Sequence, residues 1–272
     1  MIGQNNIKEK INEQIKDNKY PRFSILIGQS GSGRKLLCSF IATQLNAVEY
    51  IVGVGVSDIR QMINEAYKVS TKVLYVIADA DKMSNAAKNV LLKVTEEPPQ
   101  NAYFIMTLTD ANNTLNTIRS RGTIYYVNNY STDELIEYAK QKTNYTLHSD
   151  EATIISDVCS TPGEVNMLLS YNAIDFYNYV EKVVGNIAEV SGANSFKIAD
   201  KIAMKDSDDK YNLQLFWKAF MNICASRLQK DPIRYARGVA ITSKYLQELR
   251  ITGINKQSTF DIWLLDIRKE WM

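Results

Sequence analysis

A glycine-rich loop that follows an apolar segment is the feature that most constrains this chain. The apolar segment Phe23–Ile27 leads directly into a loop that contains Gly28, Gly31 and Gly33. This spacing matches the phosphate-binding loop Gly-x4-Gly-Lys-Ser/Thr, which joins a strand to a helix. Glycines let successive backbone N–H groups point at one anion, and the N-terminus of the following helix adds positive charge. The spacing therefore predicts a strand–loop–helix unit of nucleotide-binding ancestry. The alternative is a strand-to-helix turn in which the glycines serve only the backbone conformation.

Two substitutions change the chemistry expected of this loop. Arg34 stands at the lysine position and Lys35 stands at the Ser/Thr position. Lysine contacts phosphates as a point charge, whereas the arginine fork is larger and planar. A Ser/Thr hydroxyl would bind Mg²⁺, whereas the ammonium group of Lys35 would repel it. No cofactor is therefore predicted, and ATP with Mg²⁺ stays only as a candidate that both substitutions argue against.

The motif after the predicted strand at 73–77 also argues against ATP hydrolysis. The apolar run Val73–Ile77 is typical of a buried parallel strand and is followed by Ala78, Asp79, Ala80 and Asp81. Hydrolysing P-loop proteins need an Asp for the metal and a carboxylate that activates water. If Ala78 aligns with the metal-binding Asp, the metal ligand is missing, and Asp79 stands in place of the Glu that activates water, with a side chain one methylene shorter. If Asp79 aligns with the metal-binding Asp instead, the base is missing. Both alignments lose the pair and leave the aspartates as turn and cap residues.

Composition excludes several classes of function. The chain has 272 residues, of which 45% are hydrophobic, and its 32 Lys and Arg nearly balance its 30 Asp and Glu, which argues against a strongly basic nucleic-acid binder. Cys38, Cys159 and Cys224 lie far apart and predict neither a zinc site nor a disulfide framework. The single His148 excludes a histidine metal cluster. A polar N-terminus and the absence of a long apolar run predict a cytoplasmic protein without membrane contact.

The pattern of apolar segments predicts an α/β fold followed by helices. Strands are predicted at 23–27, 49–52, 73–77, 103–109 and 123–127, and they alternate with helices at 5–17, 36–45, 58–69 (with Ser57 as N-cap), 84–95 and 112–121. Such alternation predicts a parallel sheet with helices on both faces. From Ser131 onward only helices are predicted, one that starts at Asp133 and others at 150–159, from 164, and at 173–189, 195–203, 211–229, 231–251 and 256–270. Phe216, Trp217 and Phe220 lie at helical spacing and are predicted core residues.

Several motifs in a fixed order resemble those of one protein family. They are Ile2-Gly3-Gln4, the glycine loop, Val56–Arg60, Ala78–Met83, Asn89–Pro99 and Ile118–Gly122. The order resembles the bacterial DNA polymerase III clamp-loader subunits of the AAA+ superfamily over roughly residues 1–170. Ile118–Gly122 is similar to the Ser-Arg-Cys motif of that family, with Gly122 in place of Cys. The broken ATP motifs favour a delta-prime or delta-prime-like subunit. The cysteine-rich zinc module that many such subunits insert after the loop helix is missing.

This resemblance implies three domains and a function. The expected domains are an AAA+ α/β core at 1–129, a helical lid at 130–172 and an all-α oligomerisation collar at 173–272. The implied function is that of a non-hydrolysing structural subunit that helps load the sliding clamp onto primed DNA. Its expected partners are clamp-loader ATPase subunits, the delta subunit, and the clamp and DNA through the complex. The alternatives left open are an atypical active ATPase that uses Arg34 and Asp79, and a nucleotide-responsive adaptor outside replication.

The resemblance also assigns roles to single residues. Arg121 matches the arginine finger that acts on a neighbouring subunit's nucleotide, the alternative being a surface arginine or a local ion pair. Thr109 matches the residue that senses the γ-phosphate, although a turn or cap role fits it equally. Glu164 stands in the second sensor, Thr161–Glu164, where a basic residue is expected, and it is also a good first-turn helix residue. Glu96–Pro99 is interpreted as structural. The degenerate nucleotide-binding set comprises Gly28, Gly31, Gly33, Arg34, Lys35, Asp79 and Thr109, and no metal ligand is predicted.

Overall fold

The structure of the chain is a computed structural model, and it describes residues 2–143, 146–187, 198, 201–203, 210–249 and 254–271. Residues 1–134 form one compact unit and residues 135–272 form a second. Most of the helix predicted at 195–203 lies outside the described residues, as do 188–189 and 250–251 at the ends of two other predicted helices.

A parallel sheet organises the first unit. Its strands are β1 (Phe23–Ile27), β2 (Val48–Val52), β3 (Val73–Ile77), β4 (Ala102–Leu108) and β5 (Thr123–Tyr126). Their order across the sheet is β2-β3-β4-β1-β5, and every neighbouring pair is parallel. The predicted α/β class is confirmed. In such a sheet the carboxyl ends of the strands meet at one edge, which is where ligands bind in open α/β folds.

Helices cover both faces of the sheet, as predicted. They are α1 (Asn5–Lys16), α2 (Arg34–Leu45), α3 (Val56–Ala66), α4 (Asn85–Glu96) and the short α5 (Asn116–Arg119). Because side chains alternate along a strand, Ile25 and Ile27 join the core beneath α3 and α4, while Leu26 joins the core beneath α1 and α2. Strands β1, β3 and β4 are buried along their whole length, which explains their continuous apolar sequences.

Two local predictions in this unit are wrong. Ser57 is not an N-cap, because α3 already begins at Val56, and the backbone N–H of Gly55 donates instead to Asp58 Oδ2 at 3.1 Å. The helix predicted at 112–121 is interrupted: a 3₁₀ turn spans Ala111–Asn113, and α5 begins only at Asn116. Thr114 between them is extended, with φ −132° and ψ 166°. A tertiary contact accompanies this interruption of the helix: the side-chain N–H of Asn113 donates to Asp81 at 2.8 Å.

The second unit consists mainly of helices. They are α6 (Thr132–Lys142, whose first residues belong to the first unit), α7 (Ser149–Val158), α8 (Pro162–Ser170), α9 (Ala173–Asn186), α10 (Leu213–Ser226), α11 (Pro232–Glu248) and α12 (Lys256–Trp271), together with a two-stranded pairing of β6 (Ile202–Ala203) with β7 (Tyr211–Asn212). No helix in the described part of the chain is long and apolar enough to span a bilayer.

Aromatic residues form the centre of this second unit. Trp217 and Trp263 lie with ring centroids 5.6 Å apart, and both side chains are buried. The indole N–H of Trp263 donates to Thr242 Oγ1 at 3.0 Å, so this buried polar group is satisfied. The predicted core role of Phe216, Trp217 and Phe220 is confirmed. Helices of the predicted lid pack on α9 and α10 within this unit, and the three-domain division stays a prediction.

Candidate functional site

The glycine loop lies at the carboxyl end of β1 and leads into α2. Gly31 has φ 78° and Gly33 has φ 86°, in the left-handed region that favours glycine. Gly28 is required for a different reason, because a Cβ there would lie 2.8 Å from Val127 Cβ and 3.0 Å from Val127 O. The three glycines therefore shape a close turn in which the chain passes tightly over the neighbouring strand segment.

Two cations of the loop approach one carboxylate. Arg34 is buried, and its Nη2 lies 3.5 Å from Asp79 Oδ1. Lys35 is exposed, and its Nζ lies 3.8 Å from Asp79 Oδ2. Strand order explains the encounter, because β4 alone separates β1 from β3 and the residues that follow β1 and β3 meet at one edge of the sheet. Asp79 therefore provides negative charge for both cations at the place where a P-loop would hold phosphate and metal.

The backbone of Asp79 directs its side chain toward the loop. Asp79 has φ 51°, an uncommon left-handed conformation for a residue with a side chain. Its N–H donates to Thr107 Oγ1 at 2.9 Å, which holds this conformation. The carboxylate of Asp79 lies beside Arg34 and Lys35, and both alignments considered for the motif after β3 stay open. Strained backbone of this kind concentrates at functional sites.

Asp81 is engaged by a separate set of donors. Its carboxylate accepts from the N–H of Thr109 at 3.0 Å, from the Thr109 hydroxyl at 2.7 Å and from Asn113 Nδ2 at 2.8 Å. Burial raises the pKa of Asp81, but the hydrogen bonds from Asn113 and Thr109 and the nearby positive charge of Arg34 outweigh it, so the pKa lies below its usual value. The structure thus places Thr109 beside Asp81, with its hydroxyl already donated.

These residues do not fit a magnesium ion. Mg²⁺ requires an octahedral set of oxygen ligands. The carboxylate of Asp79 already faces two cations, the carboxylate of Asp81 already accepts several hydrogen bonds, and Lys35 replaces the ligating hydroxyl. Within the described ranges no group of three or more His, Cys, Asp or Glu side chains could hold a metal. We therefore derive no metal-assisted step at this loop.

The loop still has unused hydrogen-bonding capacity. In the part of the chain that the structure describes, the buried atoms Arg34 Nη1 and Ser32 Oγ have no hydrogen-bond partner. Buried polar atoms without partners are uncommon and often mark the place of a water or a ligand. Arg34 and Lys35 lie beside the carboxylate of Asp79, and Arg34 also acts electrostatically on Asp81, so two carboxylates lie near the two cations. Arg34 Nη1 and Ser32 Oγ can still donate to a water or an anion at the loop.

Arg121 lies at the opposite edge of the sheet from the glycine loop. It lies two residues before the first residue of β5, Thr123, which pairs with Ser24 near the start of β1, whereas the loop follows the end of β1. Its Nη2 lies 2.6 Å from Glu96 Oε1, and its Nη1 donates to the carbonyl oxygen of Thr117 at 2.6 Å. The side chain remains 33% exposed. Arg121 is therefore remote from the chain's own loop and is held by an ion pair.

The second sensor position lies in the second unit. Thr161 caps α8 by accepting from the N–H of Glu164 at 3.3 Å. The carboxylate of Glu164 accepts from Ser160 N at 2.7 Å and from Lys218 Nζ at 2.5 Å. Both members of this ion pair are mostly buried. Glu164 is thus a first-turn helix residue, as the alternative interpretation proposed, and its charge is compensated by α10.

Sequence reasoning missed two partners in these clusters. The sequence predicts only a structural role for Glu96. The two prolines that follow, Pro98 and Pro99, end α4 at this residue and so indicate where its side chain starts. Lys218 is 54 residues from Glu164 and carries no motif, so nothing in the sequence indicated the pair.

Comparisons with known proteins give the family context of these features. Residues 51–131 match the family described as "DNA polymerase III, delta subunit". The chain is 26% identical over 222 residues to DNA polymerase III subunit gamma of Buchnera aphidicola subsp. Schizaphis graminum, covering 66% of this chain and 61% of that protein. It is 32% identical over 115 residues to the delta' subunit of Buchnera aphidicola subsp. Baizongia pistaciae, covering 38% and 34%. The matched region thus spans less than two thirds of each of these relatives.

A solved structure extends the likeness of fold. A DNA polymerase III gamma subunit-related protein of Thermotoga maritima superposes with a TM-score of 0.51 at 16% identity, covering 97% of this chain and 99% of that one. At this identity the likeness concerns the fold alone. Together with the sequence matches, it confirms that the chain resembles clamp-loader subunits of the AAA+ superfamily and carries a P-loop α/β sheet followed by helices.

Proposed function

We propose that this chain acts as a non-hydrolysing, delta-prime-like subunit of a clamp loader. In this role it assembles with clamp-loader ATPase subunits and a delta subunit, and the complex places a sliding clamp on primed DNA. The chain contributes a scaffold and one arginine to the assembly and performs no hydrolysis of its own. Its matches to both gamma and delta' subunits support the clamp-loader assignment, and the chemistry of the loop favours the delta-prime-like type.

The cluster of Arg34, Lys35 and Asp79 carries the non-hydrolysing part of the proposal. An active P-loop uses its lysine on the phosphates, its hydroxyl on Mg²⁺ and its strand-end carboxylate on the same metal. Here the strand-end carboxylate of Asp79 lies within 3.5 Å of one cation and 3.8 Å of another. An ammonium group at this distance opposes a divalent cation electrostatically. The site therefore lacks the charge arrangement that phosphoryl transfer to water requires.

The non-hydrolysing part is tested on the chain alone. We expect the purified chain to show no ATP turnover above background in the presence of Mg²⁺, and Asp79→Ala to change nothing, because no metal is held for hydrolysis. Steady-state phosphate release from both proteins measures this. Turnover by the unmodified chain that Asp79→Ala abolishes would establish the atypical ATPase instead.

The position of Arg121 supports its role as a finger that acts on a neighbour. The chain's own loop lies at the opposite ends of the strands, so Arg121 does not act on an anion bound at that loop. An arginine aimed at the γ-phosphate of a neighbour stabilises charge in the transition state without needing a working site of its own. Partial exposure of the Arg121 side chain leaves it accessible to such a group.

We expect Arg121→Ala to lower the ATPase rate of the reconstituted clamp loader by about 10³-fold, the contribution usual for such fingers. Arg119→Ala is the matched control: it removes the same charge two residues away, and we expect the rate to change less than about twofold because Arg119 is not the finger of the motif. Steady-state ATP hydrolysis by the complete complex provides the measurement, and thermal unfolding checks that each variant folds. Equal rates for the two variants would remove Arg121 from the mechanism, and a failure to co-purify with a clamp-loader ATPase would favour an adaptor outside replication.

A further inference from the structure

The segment Glu96–Pro99 contains a side chain that directly contacts Arg121. Glu96 is the last residue of α4, and its Oε1 lies 2.6 Å from Arg121 Nη2. Thr117, in α5, accepts from Nη1 of the same arginine at 2.6 Å through its carbonyl oxygen. Two terminal nitrogens of one guanidinium group are therefore fixed by two different helices.

The elements that supply these contacts are themselves held in place. Pro98 and Pro99 prevent α4 from continuing, and the residue before Pro98 has left the helical region, with φ −130° and ψ 74° at Glu97. On the other side, Gly122 packs so closely that a Cβ there would lie 2.8 Å from Ile25 Cγ1 and 2.9 Å from Phe23 Cε1. Arg121 is thus anchored to the buried sheet at its backbone and to α4 at its tip.

The contacts with Glu96 and Thr117 engage only some of the N–H donors of the Arg121 guanidinium group. A guanidinium group presents N–H donors on Nη1, Nη2 and Nε. The side chain is 33% exposed, so the remaining donors can meet an external anion. Glu96 can therefore orient Arg121 while Arg121 binds a phosphate.

We propose that Glu96 is a positioning residue for Arg121, which it holds ready for the nucleotide phosphate of a neighbouring subunit. This inference rests on the proposed finger role of Arg121. The pair is partly exposed, and such pairs contribute little to folding stability, so its effect lies in ordering a long side chain before the partner arrives. A pre-oriented arginine contributes to the transition state without first losing rotamer freedom.

The inference is tested by a double-mutant cycle in the reconstituted clamp loader. We expect Glu96→Ala to lower kcat for ATP hydrolysis about tenfold with KM unchanged, because orientation of the finger matters in the transition state. Glu96→Gln keeps an acceptor oxygen without the charge and is expected to retain an intermediate rate. Glu97→Ala, which removes an exposed carboxylate one residue away, is the matched control and is expected to leave the rate unchanged. In the double variant Glu96→Ala/Arg121→Ala the rate should equal that of Arg121→Ala alone.

Each other outcome contradicts the inference in an identifiable way. A normal kcat for Glu96→Ala beside a slow Arg121→Ala rejects the positioning role and leaves the finger intact. An increased kcat shows that Glu96 competes with phosphate for the arginine. Independent, multiplicative effects of the two substitutions show that Glu96 acts other than through Arg121. If Arg121→Ala itself has no effect, the proposed finger fails and the positioning role fails with it.

Discussion

At the scale of single residues, the carboxylates after β3 have different tasks although they are two positions apart. Asp79 faces Arg34 and Lys35, whereas Asp81 accepts hydrogen bonds from Thr109 and Asn113. Asp81 thereby ties the end of β3 to the end of β4 and to the 3₁₀ turn that follows. Charge-assisted hydrogen bonds of this kind are stronger than neutral ones, so Asp81 supports the edge of the sheet on which the loop is built.

We expect Asp81→Asn to lower the free energy of unfolding of the first unit by about 1–3 kcal/mol at pH 7, because Thr109 and Asn113 lose an ionised acceptor. The native pKa of Asp81 lies below its ordinary value of 3.8, so its stabilisation is complete above pH 3.8 and is lost as the pH falls through the lower native pKa. Denaturation followed by circular dichroism at pH 7 and at pH 3 should therefore show a smaller difference between the variant and the unmodified chain at pH 3. Asp17→Asn, an exposed carboxylate, should have little effect at either pH.

At the scale of elements, the joint between α5 and β5 depends on a close approach of backbone to the core. Gly122 takes the position where the related motif has a cysteine, and the side chains of Phe23 and Ile25 occupy the space that a Cβ would need. Both neighbours belong to the buried strand β1, so neither can move without disturbing the sheet. The glycine therefore lets the segment that carries Arg121 lie directly on the central strands.

Gly122→Ala is expected to destabilise the first unit by about 1–3 kcal/mol through this overpacking. Gly185→Ala provides a contrasting control: among the described residues, no atom beyond the chain neighbours and the backbone of α9 lies within 4 Å of the Cβ position, so the change should stabilise the second unit by up to about 1 kcal/mol through helix propensity. Urea denaturation of both variants measures the two effects. Equal stability of Gly122→Ala and the unmodified chain would show that β1 can yield at this contact.

At the scale of the whole molecule, each compact unit has its own buried core. The first is built on the two faces of the sheet, and the second is built around aromatic residues of α10 and α12. All three tryptophans of the chain, Trp217, Trp263 and Trp271, belong to the second unit. Tryptophan fluorescence therefore reports on the second unit alone, which gives a direct way to follow the units separately.

We expect Leu91→Ala, in the core of the first unit, to lower the midpoint of unfolding seen by circular dichroism while the tryptophan fluorescence midpoint stays unchanged. The matched change Ile267→Ala, in α12, should lower the fluorescence midpoint. Each substitution removes a fully buried side chain and should reduce the stability of its own unit by about 2–5 kcal/mol. A fluorescence midpoint that shifts with Leu91→Ala would mean that the units unfold together.

The strands, the glycine loop and most helices could be predicted from local sequence patterns. Strand β1 and its loop follow from a continuous apolar run and three glycines, and the buried Phe216, Trp217 and Phe220 of α10 follow from helical spacing. These features could be predicted because they depend on neighbours within a few residues of one another, where backbone preference and the period of apolar side chains operate.

The pairing of charged side chains depends on long-range packing. Asp79 reaches Arg34 across 45 residues, Arg121 reaches Glu96 across 25 and Lys218 reaches Glu164 across 54. Strand order and helix packing bring these side chains together, and no local pattern specifies either. The wrong prediction of Ser57 as a cap has a different, local cause: the backbone N–H of Gly55 donates to the carboxylate of Asp58, three residues away, and this contact sets the start of α3 at Val56. Charged side chains interact when they lie close together in the folded chain. In this protein the strand order and the helix packing bring them together, and neither can be read from a local sequence pattern.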